Sequence, residues 1–132
     1  MGVVTSRLKQ LPLEIHQGED RSILVGVVDS STNNPLPISR VVFTLRKNPY
    51  TPTYLFQKDS DVVGEATILT QSGSTLGQAR IFILRSDTVD LPLPLSLKPY
   101  VYDIWVVLLT GEHQIVVPPS PFLIGKPVTQ VL

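Results

Sequence analysis

His16 and His113 are the only histidines in the chain, and neither has nearby in sequence the carboxylates, hydroxyls or second imidazole that a metal site or general-base relay needs. Both read as exposed side chains without a chemical companion, His16 on the polar side of an alternating segment and His113 just after a turn. In "KDSDVVG", Asp59, Asp61 and Gly64 place hard oxygen ligands as the first half of a calcium loop does. No carboxylate stands where the closing ligand belongs, so a solvated turn is expected, with Asp59 and Asp61 as the only metal candidates. Asp87 and Asp90 flank the start of the Pro-rich crossover, and "SDT" reads as an Asx or Ser turn. Tyr50 and Tyr54, in "PYTPTY", are the one pair placed to stack a sugar ring. There is no Cys, no G-x-S-x-G and no phosphate-cradling Gly loop. Neither enzymatic activity nor a cofactor is expected.

Composition sets the wider limits. The 132 residues make one domain, large enough to bury about two-thirds of its unfolded surface. Eleven basic and eleven acidic residues cancel, which leaves no electrostatic basis for nucleic acid or anionic lipid as a partner. Only 17% of residues are charged, against about 25% in a typical soluble domain, while 42% are hydrophobic. So little charge points to a surface partly covered by protein. The longest apolar run, "IWVVLL", is too short for a membrane span or a signal core, and synthesis in the cytoplasm is expected. Met1, Gly2 and Ser6 fit a myristoylation pattern that chance matches readily, and it is set aside.

The elements that must position these residues are strands, because Pro and Gly interrupt every stretch that could wind into a long amphipathic helix. "LPLEIHQ" and "RSILVGVVD", joined by "GED", predict a hairpin. "RVVFTLRKN" should turn Val41, Phe43 and Leu45 to a core and Val42, Thr44 and Arg46 away from it. "YTPTYLFQKD" and "GEATILTQSG" supply shorter strands, and "GQARIFILRS" alternates Ala79, Ile81 and Ile83 with Arg80, Phe82 and Leu84. Pro92, Pro94 and Pro99 make "DTVDLPLPLSLKP" an extended crossover. "YVYDIWVVLL" and "HQIVVPP" then form a hairpin about "TGEH", followed by "SPFLIGKPVTQVL" as a terminal strand with a short extended tail. About seven to nine short strands at this spacing predict an all-β, antiparallel, immunoglobulin-like sandwich in a single domain over 1–132.

The strand beginning at Tyr100 is apolar on both sides. Tyr102, Ile104 and Val106 are assigned to the core, which leaves Trp105, Val107 and Leu109 for a partner. The alternative makes Trp105 the core tryptophan of the sandwich, with Val107 and Leu109 beneath the Pro-rich crossover. The apolar end of the tail, Val128, Val131 and Leu132, is a second candidate interface, able to add to a neighbouring sheet edge.

Taken in order, "QGED" with "ILVGVVD", "NNPLPISRVVFTLRKN", "LRSDT", "YVYDIWV" with "TGE", and "SPFLIGKPVTQ" resemble the small β-sandwich domains of tailed-phage structural proteins, such as the N-terminal domain of baseplate upper proteins. The resemblance implies a non-enzymatic component of the virion, a tail or baseplate adaptor or a capsid decoration protein. Such a protein self-associates into homo-oligomers and docks onto other virion proteins. It also implies roles for Gly18 and Asp20 in the first hairpin turn, for Pro35 and Leu36 at the entry to the third strand, and for Tyr102 and Asp103 in packing and hydrogen bonding in the long strand. Baseplate upper proteins continue into further domains, whereas this sequence ends at Leu132. The alternative function is a carbohydrate-binding or host-recognition module using Tyr50 and Tyr54.

Overall fold

Alternation of apolar and polar residues fixes which side of each strand faces inward, and it sorts the strands into two facing sheets. The computed structural model describes residues 4–5, 13–91 and 99–125. The first sheet has the order β2 (Leu13–His16), β10 (His113–Gly125), β9 (Tyr100–Leu108), β5 (Ile38–Arg46), β6 (Phe56–Asp59). The second has the order β3 (Arg21–Gly26), β8 (Gln78–Ile83), β7 (Ala66–Ile68), and the two-residue strands β1 (Val4–Thr5) and β4 (Val28–Asp29) pair separately. All these pairings are antiparallel except β2 with β10, which run parallel, a departure from the wholly antiparallel sandwich expected.

Between the sheets, Val41, Phe43 and Leu45 meet Tyr102, Ile104 and Val106 from one side and Ala79, Ile81 and Ile83 from the other. Phe43 is the hub. Its ring stacks on Phe56 and Tyr102, at centroid distances of 5.9 and 5.4 Å, and meets Phe122 edge-on at 6.1 Å. Burial pushes the Tyr102 hydroxyl up to about 12.

Three local expectations need correction. "LPLEIHQ" and "RSILVGVVD" do not pair with each other: β2 joins the first sheet and β3 the second. Gly18, at φ +81°, turns the chain across the core, so that Ile15 and Val25 are buried from opposite sheets. The last two predicted strands are one, β10, in which Pro118 and Pro119 fall within a register shift and Ser120 Oγ donates to the Pro118 carbonyl. Because β2 pairs only with Phe122–Gly125, it makes no ladder with β10 at the prolines, where a missing N–H costs little. "RSDT" forms a single helical turn, α1 (Arg85–Thr88), begun by the Asp87 carboxylate accepting the Leu84 amide at 2.7 Å.

The turn residues singled out by resemblance hold the base together. Asp20 accepts the Arg85 amide at 2.6 Å, and Gly18 N–H donates to buried Thr88 Oγ1 at 2.9 Å. Leu36 packs against the core and donates its amide to Val27. On the inner side of β6, Lys58 is 5% exposed and places Nζ 2.7 Å from Asp87. This ion pair ties α1 to the edge of the first sheet.

Candidate interaction face

The outer face of the first sheet is built in rows by the strand register. His113, Val107 and Arg40 form one row across β10, β9 and β5. Ile115, Trp105, Val42 and Asp59 form the next, extended to β6. Asp103, Thr44 and Gln57 follow, and then Pro121, Val101 and Arg46. Arg40 reaches its place opposite Val107 through a register shift beside Ser39. Ser39 Oγ secures that shift by donating to the Val107 carbonyl.

Within these rows Trp105 is held from both flanks. His113, from β10, stacks on the indole with centroids 5.7 Å and planes 25° apart. From β5, the Arg40 guanidinium carbon lies 5.7 Å from the indole centroid, within cation–π range. Arg40 is anchored in turn by Nε, 3.0 Å from Asp59 Oδ1, by Nη2 on Asp59 Oδ2, and by Asp61 Oδ2 at 3.2 Å. The guanidinium beside Asp59 holds its carboxyl below the ordinary 3.8. Further along, Arg46 Nη1 is 3.1 Å from Asp103, whose pKa is nevertheless raised, because burial penalises the charge more than Arg46 favours it.

These side chains roof the strands beneath. Val42 and Thr44 point away from the core and are still only 1% exposed, under Trp105, Arg40, Asp59 and Asp103. Polar sequence on this face therefore became a network of ion pairs, and apolar sequence was left toward solvent. Trp105 and Val107 are half-buried, while Ile115 is 63% and Leu109, just past the end of β9, is 66% exposed. Trp105, His113, Gln114 and Ile115 line a shallow depression there.

Each sequence candidate has a definite place. Trp105 lies on the outer face and not in the core, as assigned. Val128, Val131 and Leu132, with the tail over 126–132, lie outside the described residues, as do the crossover over 92–98 and the amino-terminal Met1, Gly2 and Ser6. The chain turns over 60–64 and is exposed over 61–64, as expected of a solvated turn, and the Asp59 and Asp61 carboxylates both face Arg40, so the loop carries its own cation. His16 and His113 are exposed, but His113 has the Trp105 ring for a companion. Tyr50, 92% exposed, and Tyr54, 53% exposed, lie in the β5–β6 loop, at the end of the sheet away from Leu109. Sequence reasoning missed Arg40 and Ile115. The only signal for Ile115 was its alternation with His113, and the bulge that delivers Arg40 has no signature in "PISRVV".

No helix among the described residues is long and apolar enough to cross a membrane. No protein-family model matches the chain, and no curated protein matches it. Among solved structures, the chain is similar to a chicken TCR seen by crystallography, with a TM-score of 0.51 and 11% sequence identity. The match covers 97% of this chain and 58% of that one, so this chain spans less than two-thirds of its structural neighbour. At that identity the likeness is one of fold. Together with the two-sheet topology it makes this chain an all-β, immunoglobulin-like sandwich.

Proposed function

We propose that the chain is a non-enzymatic structural subunit of a tailed-phage virion, either a tail or baseplate adaptor or a capsid decoration protein. It self-associates and docks onto other virion proteins. The observation that supports docking is the outer face of the five-stranded sheet, where Trp105 is clamped by Arg40 and His113 beside exposed Ile115 and Leu109. A rigid aromatic with apolar neighbours and a rim of satisfied charge is the composition of an interface centre. The virion assignment rests on the ordered sequence segments alone. Quantitative mass spectrometry of purified phage particles tests it: the chain is expected in fixed proportion to other structural proteins. Its absence from particles while abundant in the lysate overturns the assignment.

A second reading, a glycan-binding module, draws support from the near-complete exposure of Tyr50 with Tyr54 in the same loop. Binding on a glycan array that is lost in Tyr50→Ala would favour it over docking.

A further inference from the structure

We propose that the partner covering this face is a second copy of the chain, docked face to face about a two-fold axis that passes close to Ile115 and Trp105. The inference rests on the docking reading above and names its partner.

Three observations converge on it. The first is where the oil lies. Ile115 and Leu109 are 63% and 66% exposed at the end of the first sheet where β9 meets β10, and Val62 and Val63, 47% and 101% exposed, follow β6 in the loop that leaves this sheet for the other. The outer face of the three-stranded sheet exposes one large aliphatic side chain among the described residues, Leu24.

The second is charge. Arg40 is satisfied by Asp59 and Asp61, and Arg46 by Asp103, so the charged half of the face has little to offer a charged partner. What is left to recognise is an apolar stripe, which needs an apolar stripe opposite it. A two-fold axis supplies one, because each copy presents the same patch to the other. Zero net charge leaves no long-range repulsion between copies.

The third is size. Four strands about 4.8 Å apart and the nine-residue β9 outline a face of at most about 19 by 30 Å, its charged rows included. At about 570 Å2 per copy, such a contact falls below the roughly 800 Å2 per partner of a standard interface and within the range of weak, reversible association. Trp105 is already ordered by its two neighbours, so little side-chain freedom is lost on docking.

Sedimentation equilibrium of the full chain is the test, with circular dichroism confirming that each variant is folded. The wild type is expected to approach twice 14.6 kDa at concentrations up to about 200 μM. Ile115→Glu, a change at an exposed site that places a carboxylate near the axis, is expected to weaken association at least about tenfold. Leu24→Glu, on the other sheet, is expected to leave it unchanged. A monomer throughout, or a dimer indifferent to Ile115→Glu, overturns the inference. A monomer that is still built into particles overturns the two-fold contact and leaves the virion reading standing. A dimer broken by Ile115→Glu, in a chain absent from particles, does the reverse.

Discussion

Trp105 and His113 stack with their ring centroids 5.7 Å apart on the outer face of the five-stranded sheet, and Arg40 approaches the same indole from the strand on the other side. The only tryptophan of the chain is thus held in place without belonging to the core. His113→Ala is expected to leave the fold intact, at a cost of about 1 kcal/mol, and to make Trp105 more accessible to acrylamide. Fluorescence quenching of wild type and variant checks this; equal quenching contradicts the clamp.

Stability should divide between the two sides of the first sheet. Phe43, with no exposed surface and three aromatic neighbours, is expected to cost about 3–5 kcal/mol when replaced by Ala. Val107→Ala, half-buried on the outer face, is expected to cost about 1 kcal/mol or less. Urea unfolding of both variants measures the contrast.

The two carboxylates of the outer face should respond to pH in opposite senses. The folded pKa of Asp59 is depressed, so its contribution is present above about 3.9 and is lost as pH falls through the lower folded value. The folded pKa of Asp103 is raised, so its contribution is complete below that ordinary value and is lost as pH rises through the folded one. At neutral pH, Asp59→Asn is expected to lose about 1–3 kcal/mol, whereas Asp103→Asn keeps or gains stability. Thermal melts from acid to neutral pH check both, and a larger neutral-pH loss in Asp103→Asn than in Asp59→Asn contradicts the assignment.

The Lys58–Asp87 pair lies where charge is hardest to remove singly. Lys58→Ala strands the Asp87 carboxylate and is expected to cost about 3 kcal/mol. The double change Lys58→Met with Asp87→Asn removes both charges and keeps an oxygen for the Leu84 amide, so its stability should lie nearer the wild type. Denaturant titration orders the three proteins.

The sandwich and much of its core were legible in the sequence, because alternation in "RVVFTL", "QARIFI" and "YVYDIWVV" fixes which side chains turn inward. Partner choice between strands was not. The "GED" turn suits a hairpin as well as a passage across the core, and only the burial of Ile15 and Val25 from opposite sheets separates the two. The prolines of β10 suggested a break, since the register shift that accommodates them is set by the neighbouring strand. On the outer face, the strand of Trp105 is apolar on both sides, so the sequence left its side open between core and surface. The partners of Trp105 were not legible either, because Arg40 and His113 come from different strands and meet only through the register.

The central claim is that Trp105 marks a surface that a second copy of the chain covers. Acrylamide quenching of its fluorescence, followed from dilute to concentrated solution of the full chain, tests that claim most directly. The account predicts that quenching falls and emission shifts to shorter wavelength as the chain is concentrated, with Ile115→Glu remaining at the dilute value. Quenching and emission that stay constant across the range, and equal in wild type and Ile115→Glu, would contradict it.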